Sequence, residues 1–291
     1  MTLPDPEIEK RDLAREYRRL LRAADQSKGK EDRKRIRKAW ELAVEAHKDM
    51  RRRSGEAYIF HPIAVARICA EEIGLDTTSI VCALLHDTVE DTWVTLDDIE
   101  RMFGKRERAI IDGLTKISGI FDPSQSAQAE NFRKMLLTLS DDIRVILIKI
   151  ADRLHNMRTL HFIKKPEKRQ RIARETMDIY APLAERIGLY EYMREMQMLA
   201  FEQIEPEAYE TITQRLNQIH SEDGGQVDAI ALDMKHALLE AGITSEVSGR
   251  EKHPYSIWRK MAERHVSFEQ VTDIMAFRII CEDVADCYRA L

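Results

Sequence analysis

The stretch IVCALLHDTVED, residues 80–91, decides the fold class of this protein. Its first six residues are apolar and lead without a break into a histidine, an aspartate and two further acids. Such a run predicts a helix that presents His86 and Asp87 at its end. On a continued helix, Glu90 and Asp91 follow that pair by four residues and stack above it. Carboxylates this close repel one another and hold protons unless a cation is near, so the stretch predicts a metal ion.

Two other segments supply the residue types that would complete a metal site. His61 precedes Pro62, and proline suits the first turn of a helix. Asp152 follows a second apolar run in the string ADRLHNMRTL, residues 151–160, and a carboxylate within a buried helix needs a partner. Together with the His-Asp pair, these residues would give a shell of two nitrogens and two carboxylates. Such a shell suits Mn, Fe or Zn and leaves positions for water and phosphate.

The composition is that of a helical protein with two domains. The chain has 291 residues, of which 44% are hydrophobic and 33% charged, with only 11 glycines and 8 prolines. This length favours two domains, and the scarcity of chain breakers favours helices. The apolar runs of about six residues are far shorter than the roughly 18 that span a bilayer. The amino terminus shows no secretion signal, so we expect a cytoplasmic protein.

The charge of the chain limits its partners. The net charge of −5 gives no bulk field towards nucleic acid or anionic lipid. We therefore expect no membrane binding and no direct nucleic-acid binding, and any phosphate-binding site must be local. The four cysteines include no C-x-x-C pair and are expected to be structural and reduced.

The first two hundred residues predict a bundle of helices. Thr95 with Asp98 resembles a capping box, and Gly104 closes that helix. Residues 142–162 are too densely apolar to show a clean period, but their length and lack of breakers favour a buried helix over a strand. Residues 117–128 contain Gly, Pro and Ser and predict a loop, which is the best candidate for a mobile element.

The pattern changes after about Pro206. A further helix is followed by the alternating residues 243–248 and by a strand-like run at 274–281. This pattern is typical of the opening of an α/β domain, and because a sheet needs more than two strands, the domain is expected to be incomplete. We therefore predict a mainly α protein, with a helical bundle over residues 1–200 and an incomplete α/β domain over residues 201–291.

Several strings of this sequence occur together in one known family. In chain order they are RRRSGEAYIFHP (51–62), HDTVED (86–91), ENFRKM (130–135) and ADRLHNMRTL (151–160). They resemble the HD hydrolase domain of the bifunctional RelA/SpoT (Rel) enzymes, which make and degrade the guanosine alarmones ppGpp and pppGpp. The strings GREKHPYSIWRKM (249–261) and VTDIMAFRII (271–280) are similar to the first part of that family's nucleotidyltransferase-like synthetase domain. Four separated motifs in the right order argue against a chance match.

The resemblance implies a role for each matching residue. It makes four residues the ligands of one Mn ion: His61, His86, Asp87 and Asp152. It makes Glu90 and Asp91 the catalytic acids. It also implies that the nucleotide is held by Arg52, Arg53, Ser54, Asn156 and Thr159. The family usually has Arg-Lys where this chain has Arg52 and Arg53, so the charge is kept but a lysine-specific contact is not.

The resemblance also implies a reaction. Pyrophosphate would be removed from the 3′ position of ppGpp or pppGpp, giving GDP or GTP. In the synthetase part it implies contacts with the ATP phosphates and one Mg-binding acid, from the set Arg250, Lys252, His253, Lys260 and Asp273. The family's second catalytic acid lies beyond Leu291, so we expect no alarmone synthesis by this chain. Mg would matter only to a complete synthetase domain, and ribosome contacts only to regions outside this chain.

Two rival functions stay open at this stage. One is a nucleotide-binding regulatory module with an inactive HD site, and the presence of all the ligands and both acids argues against it. The other is an HD phosphohydrolase of a different nucleotide, and only the strings at 52–54 and 152–159 argue against that. The remaining histidines considered lack acidic partners at useful spacing and are expected to be ordinary packing or surface residues: His155, His161, His220 and His236.

Overall fold

The chain forms two compact units, Met1–Leu189 and Tyr190–Leu291. A computed structural model describes residues 6–24, 29–120, 142–223, 226–271 and 274–291. The sequence placed the domain boundary near residue 200. The helix Tyr190–Ile204 groups with the second unit, because its Phe201 is buried in that unit's apolar core.

The first unit is built from helices, as the scarcity of chain breakers predicted. In chain order they are α1 Pro6–Ala24, α2 Lys30–Ala46, α3 Phe60–Arg67, α4 Thr77–Leu85, α5 Thr88–Asp91, α6 Leu96–Phe103, α7 Lys105–Ile120, α8 Ile143–Arg158, α9 Pro166–Glu175 and α10 Ala181–Arg186. Two short π-helical segments, Ile68–Glu72 and Thr176–Tyr180, follow α3 and α9, and a 3-10 turn, Leu160–Phe162, follows α8.

Helix α4 lies at the centre of the first unit. All of its residues are buried, and α2, α3, α7 and α8 pack against it. A helix that is apolar on every side is stable only where neighbours cover it all round. It ends at Leu85, and the chain turns at His86 and Asp87 before α5 begins. The expected helix through residue 91 is therefore interrupted, although the Asp91 N–H still donates to the Asp87 carbonyl oxygen at 2.9 Å.

Local sequence signals predict some elements correctly and one element wrongly. Thr95 and Asp98 form both bonds of the predicted capping box, and α6 ends at Gly104. The dense apolar run after Asp142 forms the predicted helix, α8. The predicted loop is wrong for residues 117–120, which belong to α7. One interior glycine costs a helix only about 1 kcal/mol, too little to stop a packed helix. Residues 121–128 lie outside the described part of the chain.

The second unit combines helices with a small sheet. Its elements are α11 Tyr190–Ile204, α12 Pro206–Asp223, α13 Gln226–Glu240, β1 Ser245–Glu251, α14 Pro254–Arg264, β2 Met275–Cys281 and α15 Val284–Arg289. The two strands pair antiparallel, with Ser248 opposite Arg278. The core of this unit is formed by Phe201, Ile212, Leu216, Ile257, Phe268 and Val271. Among the described residues, no helix has both the length and the apolar character needed to cross a membrane.

Candidate functional site

Helices of the first unit bring the four predicted metal ligands together. His61 lies in the first turn of α3, Asp152 lies in α8, and His86 and Asp87 follow α4. His61 Nε2 is 3.2 Å from Asp152 Oδ1 and 3.6 Å from Asp87 Oδ2. His86 Nε2 is 3.0 Å from Asp87 Oδ2 and 3.8 Å from Asp152 Oδ1. We call these four residues the His-Asp cluster. Its two imidazoles and two carboxylates converge on one point.

The cluster fits a divalent cation. The Nδ1 atom of His86 bonds to the Ala83 carbonyl oxygen at 2.8 Å, so this nitrogen carries a proton and Nε2 is left with its lone pair. Within the described part of the chain, His86 Nε2 is buried and has no partner with hydrogen-bond geometry. A ring nitrogen held in this way and directed at carboxylates is a typical metal ligand. Ligand atoms of His61, His86 and Asp152 lie within 4.8 Å of one another.

The two buried carboxylates of the cluster favour positive charge next to them. Burial lowers the pKa of His86, but the negative charges of Asp87 and Asp152 outweigh burial and raise that pKa to about 9. Burial raises the pKa of Asp152, yet the Lys149 ammonium and the two histidines hold it well below its usual range. The sequence predicted that Asp87, Glu90 and Asp91 would stay partly protonated without a cation; the pKa of Asp91 is raised, whereas that of Asp87 lies below its usual range. Without a cation the charges of Asp87 and Asp152 favour a second proton on His86, at Nε2, and a bound metal would displace that proton to reach the lone pair.

Three polar side chains hold the two carboxylates of the cluster in place. Tyr58 Oη donates to Asp87 Oδ2 at 2.6 Å, and Asn156 Nδ2 donates to Asp152 Oδ1 at 2.7 Å. Lys149 Nζ lies 3.5 Å from Asp152 Oδ2. Burial and the Asp87 charge raise the pKa of Tyr58, so its hydroxyl stays a donor. Partners of this kind fix the orientation of ligating carboxylates.

His155 also belongs to this site, so the expectation that it is an ordinary packing or surface residue is wrong. Its Nδ1 lies 2.8 Å from His61 Nδ1 and 3.2 Å from Arg52 Nη1. Burial and the charges of His61 and Arg52 lower the pKa of His155 to about 3, so its ring is neutral. Its partners are a histidine and an arginine, so the spacing of acidic residues does not reveal it. The available signal was that it shares a face of α8 with Asp152 and Asn156.

A cavity of about 490 Å³ is lined by side chains that also hold the cluster. All the predicted nucleotide contacts lie in its wall: Arg52, Arg53, Ser54, Asn156 and Thr159. Asn156 connects the His-Asp cluster with the cavity wall. Its Nδ2 donates to Asp152, and its Oδ1 accepts from Arg52 Nη2 at 3.0 Å. This volume falls in the range of about 300 to 1,000 Å³ that is usual for small-molecule sites.

The cavity wall is strongly cationic. Besides the predicted arginines, it includes Arg51, Arg153, Lys168 and Arg171. Among the described residues of the wall the one carboxylate is Glu175, which forms an ion pair with Arg153. Partial burial and the neighbouring charges of Arg53 and Arg171 lower the pKa of Lys168, which reflects crowding of like charges. The wall also contains apolar side chains, including Phe162 and Ile163. A ligand with several negative charges and one flat apolar part would complement this wall.

The two predicted catalytic acids lie on α5, directly after the His-Asp pair, and both are exposed. Burial and the negative charge of Asp87 raise the pKa of Asp91, while the neighbouring imidazoles of His47 and His86 oppose that rise. Glu90 interacts with the charge of Lys149. Asp91 is therefore in electrostatic contact with the cluster itself, Glu90 is in contact with Lys149 beside it, and both acids reach solvent.

The residues matched to the synthetase lie in the second unit. Arg250 is in β1, Lys252 and His253 precede α14, and Lys260 is in α14. The Lys252 N–H donates to the Ile274 carbonyl oxygen at 2.9 Å, next to β2. The side chain of Arg250 lies outside the described part of the chain, as do Asp273 and the His220 side chain. His161 and His236 are exposed, as expected.

Comparison with known proteins gives two family matches and several relatives. Residues 39–190 match the model of the HD domain, and residues 249–291 match the region found in RelA / SpoT proteins. An HD domain implies a divalent metal, in agreement with the cluster. A GTP pyrophosphokinase rsh from Brucella melitensis is 44% identical over 257 residues, which are 88% of this chain and 34% of that protein.

A bifunctional (p)ppGpp synthase/hydrolase SpoT from Escherichia coli K12 is 46% identical over 259 residues, which are 89% of this chain and 37% of that protein. The chain thus spans about a third of the length of these curated relatives. One solved structure, described as a metazoan ortholog of SpoT that hydrolyses ppGpp, is 25% identical with a TM-score of 0.41. That match covers 62% of this chain and 95% of the other.

Proposed function

This chain belongs to the HD-domain family and carries the region found in RelA and SpoT proteins, as its motifs predicted, and from this we propose that it hydrolyses guanosine alarmones. The reaction removes the 3′-pyrophosphate of ppGpp or pppGpp with the help of Mn2+ and gives GDP or GTP. The observation that carries the proposal is the wall shared by the His-Asp cluster and the cationic cavity. Asn156 contacts Asp152 on one side and Arg52 on the other.

The cavity supplies what a guanosine polyphosphate needs for binding. Arg53, Lys168 and Arg171 offer positive charge, and among the described residues none of the three forms an ion pair. A phosphate chain would restore the balance of charge at this wall. Phe162 and Ile163 offer apolar contact to a base, and a planar guanidinium such as that of Arg53 can stack on it. The base and the phosphates would thus have separate partners.

The His-Asp cluster supplies the place for the cation. His61, His86, Asp87 and Asp152 would hold Mn2+, which suits a shell of mixed nitrogen and oxygen ligands. A bound cation of this kind lowers the pKa of water and polarises phosphoryl oxygens. Asp91 would accept a proton from the attacking water, because its raised pKa brings it closer to the pH at which it must work. Glu90, on the same turn, would orient that water.

Tyr58 provides a test of how far the cluster depends on the residues behind it. Tyr58→Phe removes the hydroxyl that donates to Asp87 and keeps the aromatic ring. We expect affinity for Mn2+ to fall by roughly 10-fold to 100-fold, the usual effect of losing such a partner. The measurement is the electron paramagnetic resonance signal of free Mn2+ during titration. The matched control is Tyr190→Phe, an exposed tyrosine of the second unit. Equal affinity in all three proteins would contradict the prediction.

Lys168 tests the role of the cavity. Lys168→Gln should raise KM for ppGpp about tenfold, which corresponds to about 1.4 kcal/mol of lost attraction, and leave kcat nearly unchanged. The effect should shrink as salt is added, because it is electrostatic. Lys164→Gln is the control, since Lys164 is exposed and does not line the cavity. Steady-state kinetics at two ionic strengths decide the matter, and a fall in kcat alone would show that the side chain acts elsewhere.

The proposal as a whole is tested with a panel of nucleotides. The purified chain is incubated with ppGpp, pppGpp, GTP, ATP and dGTP, each with Mn2+, Zn2+, Fe2+ or a chelator. We expect GDP from ppGpp and GTP from pppGpp, released with pyrophosphate, with Mn2+ the best cofactor and the chelator abolishing turnover. Faster hydrolysis of another nucleotide would favour the second candidate, an HD phosphohydrolase of different specificity. Binding of guanosine nucleotides without turnover would favour a regulatory module.

A further inference from the structure

We propose that His155 is a positioning residue that joins the metal site to the nucleotide site through a single ring nitrogen. The inference deepens the proposed function and rests on it. Nδ1 of His155 lies 2.8 Å from Nδ1 of His61 and 3.2 Å from Nη1 of Arg52. One of these neighbours is a candidate metal ligand and the other lines the cavity.

The chemistry of the three groups assigns the protons. A guanidinium nitrogen can only donate, so Nδ1 of His155 must accept from Arg52. A nitrogen that accepts carries no proton of its own. The hydrogen between the two imidazole rings therefore belongs to Nδ1 of His61, which donates to His155 as well. His155 thus serves as the common acceptor of both contacts.

The first consequence concerns the metal ligand. With its proton on Nδ1, His61 has a lone pair on Nε2, the nitrogen that lies 3.2 Å from Asp152 Oδ1 and 3.6 Å from Asp87 Oδ2. The opposite tautomer would place a proton at the position of the cation. The second partner of a ligating histidine commonly decides its tautomer and the direction of its ring. Here that partner is another neutral histidine, whereas a carboxylate or a backbone carbonyl oxygen is the usual partner.

The second consequence concerns the arginine. Arg52 is held at two points, Nη1 on His155 and Nη2 on Asn156 Oδ1 at 3.0 Å. Asn156 in turn donates to Asp152, which faces His61. Five side chains form a circuit of contacts that a cation between His61 and Asp152 would close: His61, His155, Arg52, Asn156 and Asp152. A cation that orders one part of this circuit also orders the guanidinium. Mn2+ and the guanosine nucleotide should therefore strengthen each other's binding.

Two substitutions separate this role from simple packing. His155→Leu fills space without an acceptor, whereas His155→Asn can place an amide oxygen near the position of Nδ1. The matched control is His236→Leu, an exposed histidine of the second unit. For each protein, the Kd of Mn2+ is measured by electron paramagnetic resonance. The Kd of GDP is measured by calorimetry with and without Mn2+, and circular dichroism confirms the fold.

We expect the leucine variant to lose roughly 10-fold to 100-fold in Mn2+ affinity, and with it the strengthening of GDP binding by Mn2+. The asparagine variant should recover most of both effects, and the control should match the unaltered protein. Equal losses in the leucine and asparagine variants, or no loss in either, would overturn the positioning role. If the unaltered protein bound neither Mn2+ nor GDP, the proposed function would fail first, and this inference with it.

Discussion

His86→Ala and Asp87→Asn should each reduce the hydrolysis of ppGpp by at least about 1,000-fold. Each change removes a ligand from the His-Asp cluster and leaves the remaining charges without their cation. A bound metal contributes several kcal/mol to transition-state stabilisation, and each 1.4 kcal/mol or so is tenfold in rate, which sets this expectation. The measurement is kcat/KM for ppGpp with saturating Mn2+, together with Mn2+ affinity.

The carboxylate control for this experiment is Asp97→Asn. Asp97 is an exposed residue of α6 that pairs with Arg108 and lies in neither the cluster nor the cavity wall. We expect it to keep full activity. Because His86 is buried, His86→Ala leaves a cavity that can itself destabilise the fold. Asp87→Asn keeps nearly the same shape and avoids this effect, and thermal melts compare the stability of the variants. Full activity of Asp87→Asn would refute the metal mechanism, because the fold would be intact and the ligand absent.

The His-Asp cluster could be anticipated because its members are polar groups in places that normally exclude them. Asp152 interrupts an apolar helix, and His86 ends another. Burying a polar group without a partner costs free energy, so a polar side chain within an apolar run predicts that a polar or charged partner lies near it. The structure places Nε2 of each histidine 3.0 to 3.8 Å from an oxygen of each carboxylate. A sequence pattern does not identify the residues that in turn hydrogen-bond to the members of the cluster.

His155 and Tyr58 illustrate that limit. Both occur in the motifs that carry the family resemblance, yet their contacts depend on which ring atom faces which neighbour. The spacing of acids along a helix says nothing of His155, because its partners are a histidine and an arginine far along the chain. The role of Tyr58 depends on its hydroxyl, which donates to the carboxylate of Asp87, 29 residues further along the chain. Such geometry exists only after the helices have packed.

The same distinction applies to the fold. The capping box of Thr95 and Asp98 is a local device, so a short pattern suffices to predict it. The predicted strand at 274–281 likewise agrees with β2 to within one residue. The boundary between the two units does not follow from a local pattern. The apolar spacing in α11 predicts a helix, but it does not show which unit's core buries the apolar face of that helix. Phe201 packs with Ile257 and others of the second unit, and that contact assigns the whole of α11.

Glu90→Gln and Asp91→Asn are expected to lower kcat by roughly 100-fold to 10,000-fold, the usual contribution of a general acid or base. Both changes keep the size and hydrogen-bonding shape of the side chain while removing its charge. Neither residue lines the cavity, so the affinity for nucleotide should change little. Asp91→Asn should have the larger effect, because Asp91 interacts with the charges of Asp87 and His86.

Kinetic constants distinguish chemistry from binding in this pair of variants. A fall in kcat with little change in the Kd of GDP would mean that the acids act on the reacting atoms. A rise in KM alone would show that they position the substrate, and the proton-transfer role would then be wrong. Glu100→Gln is the matched control, because Glu100 lies on α6 in an ion pair with Arg108, away from the cavity wall. The contrast with Lys168→Gln is informative, since that change should alter KM and leave kcat alone. Opposite effects in the two sets of variants would therefore assign catalysis to α5 and binding to the cavity.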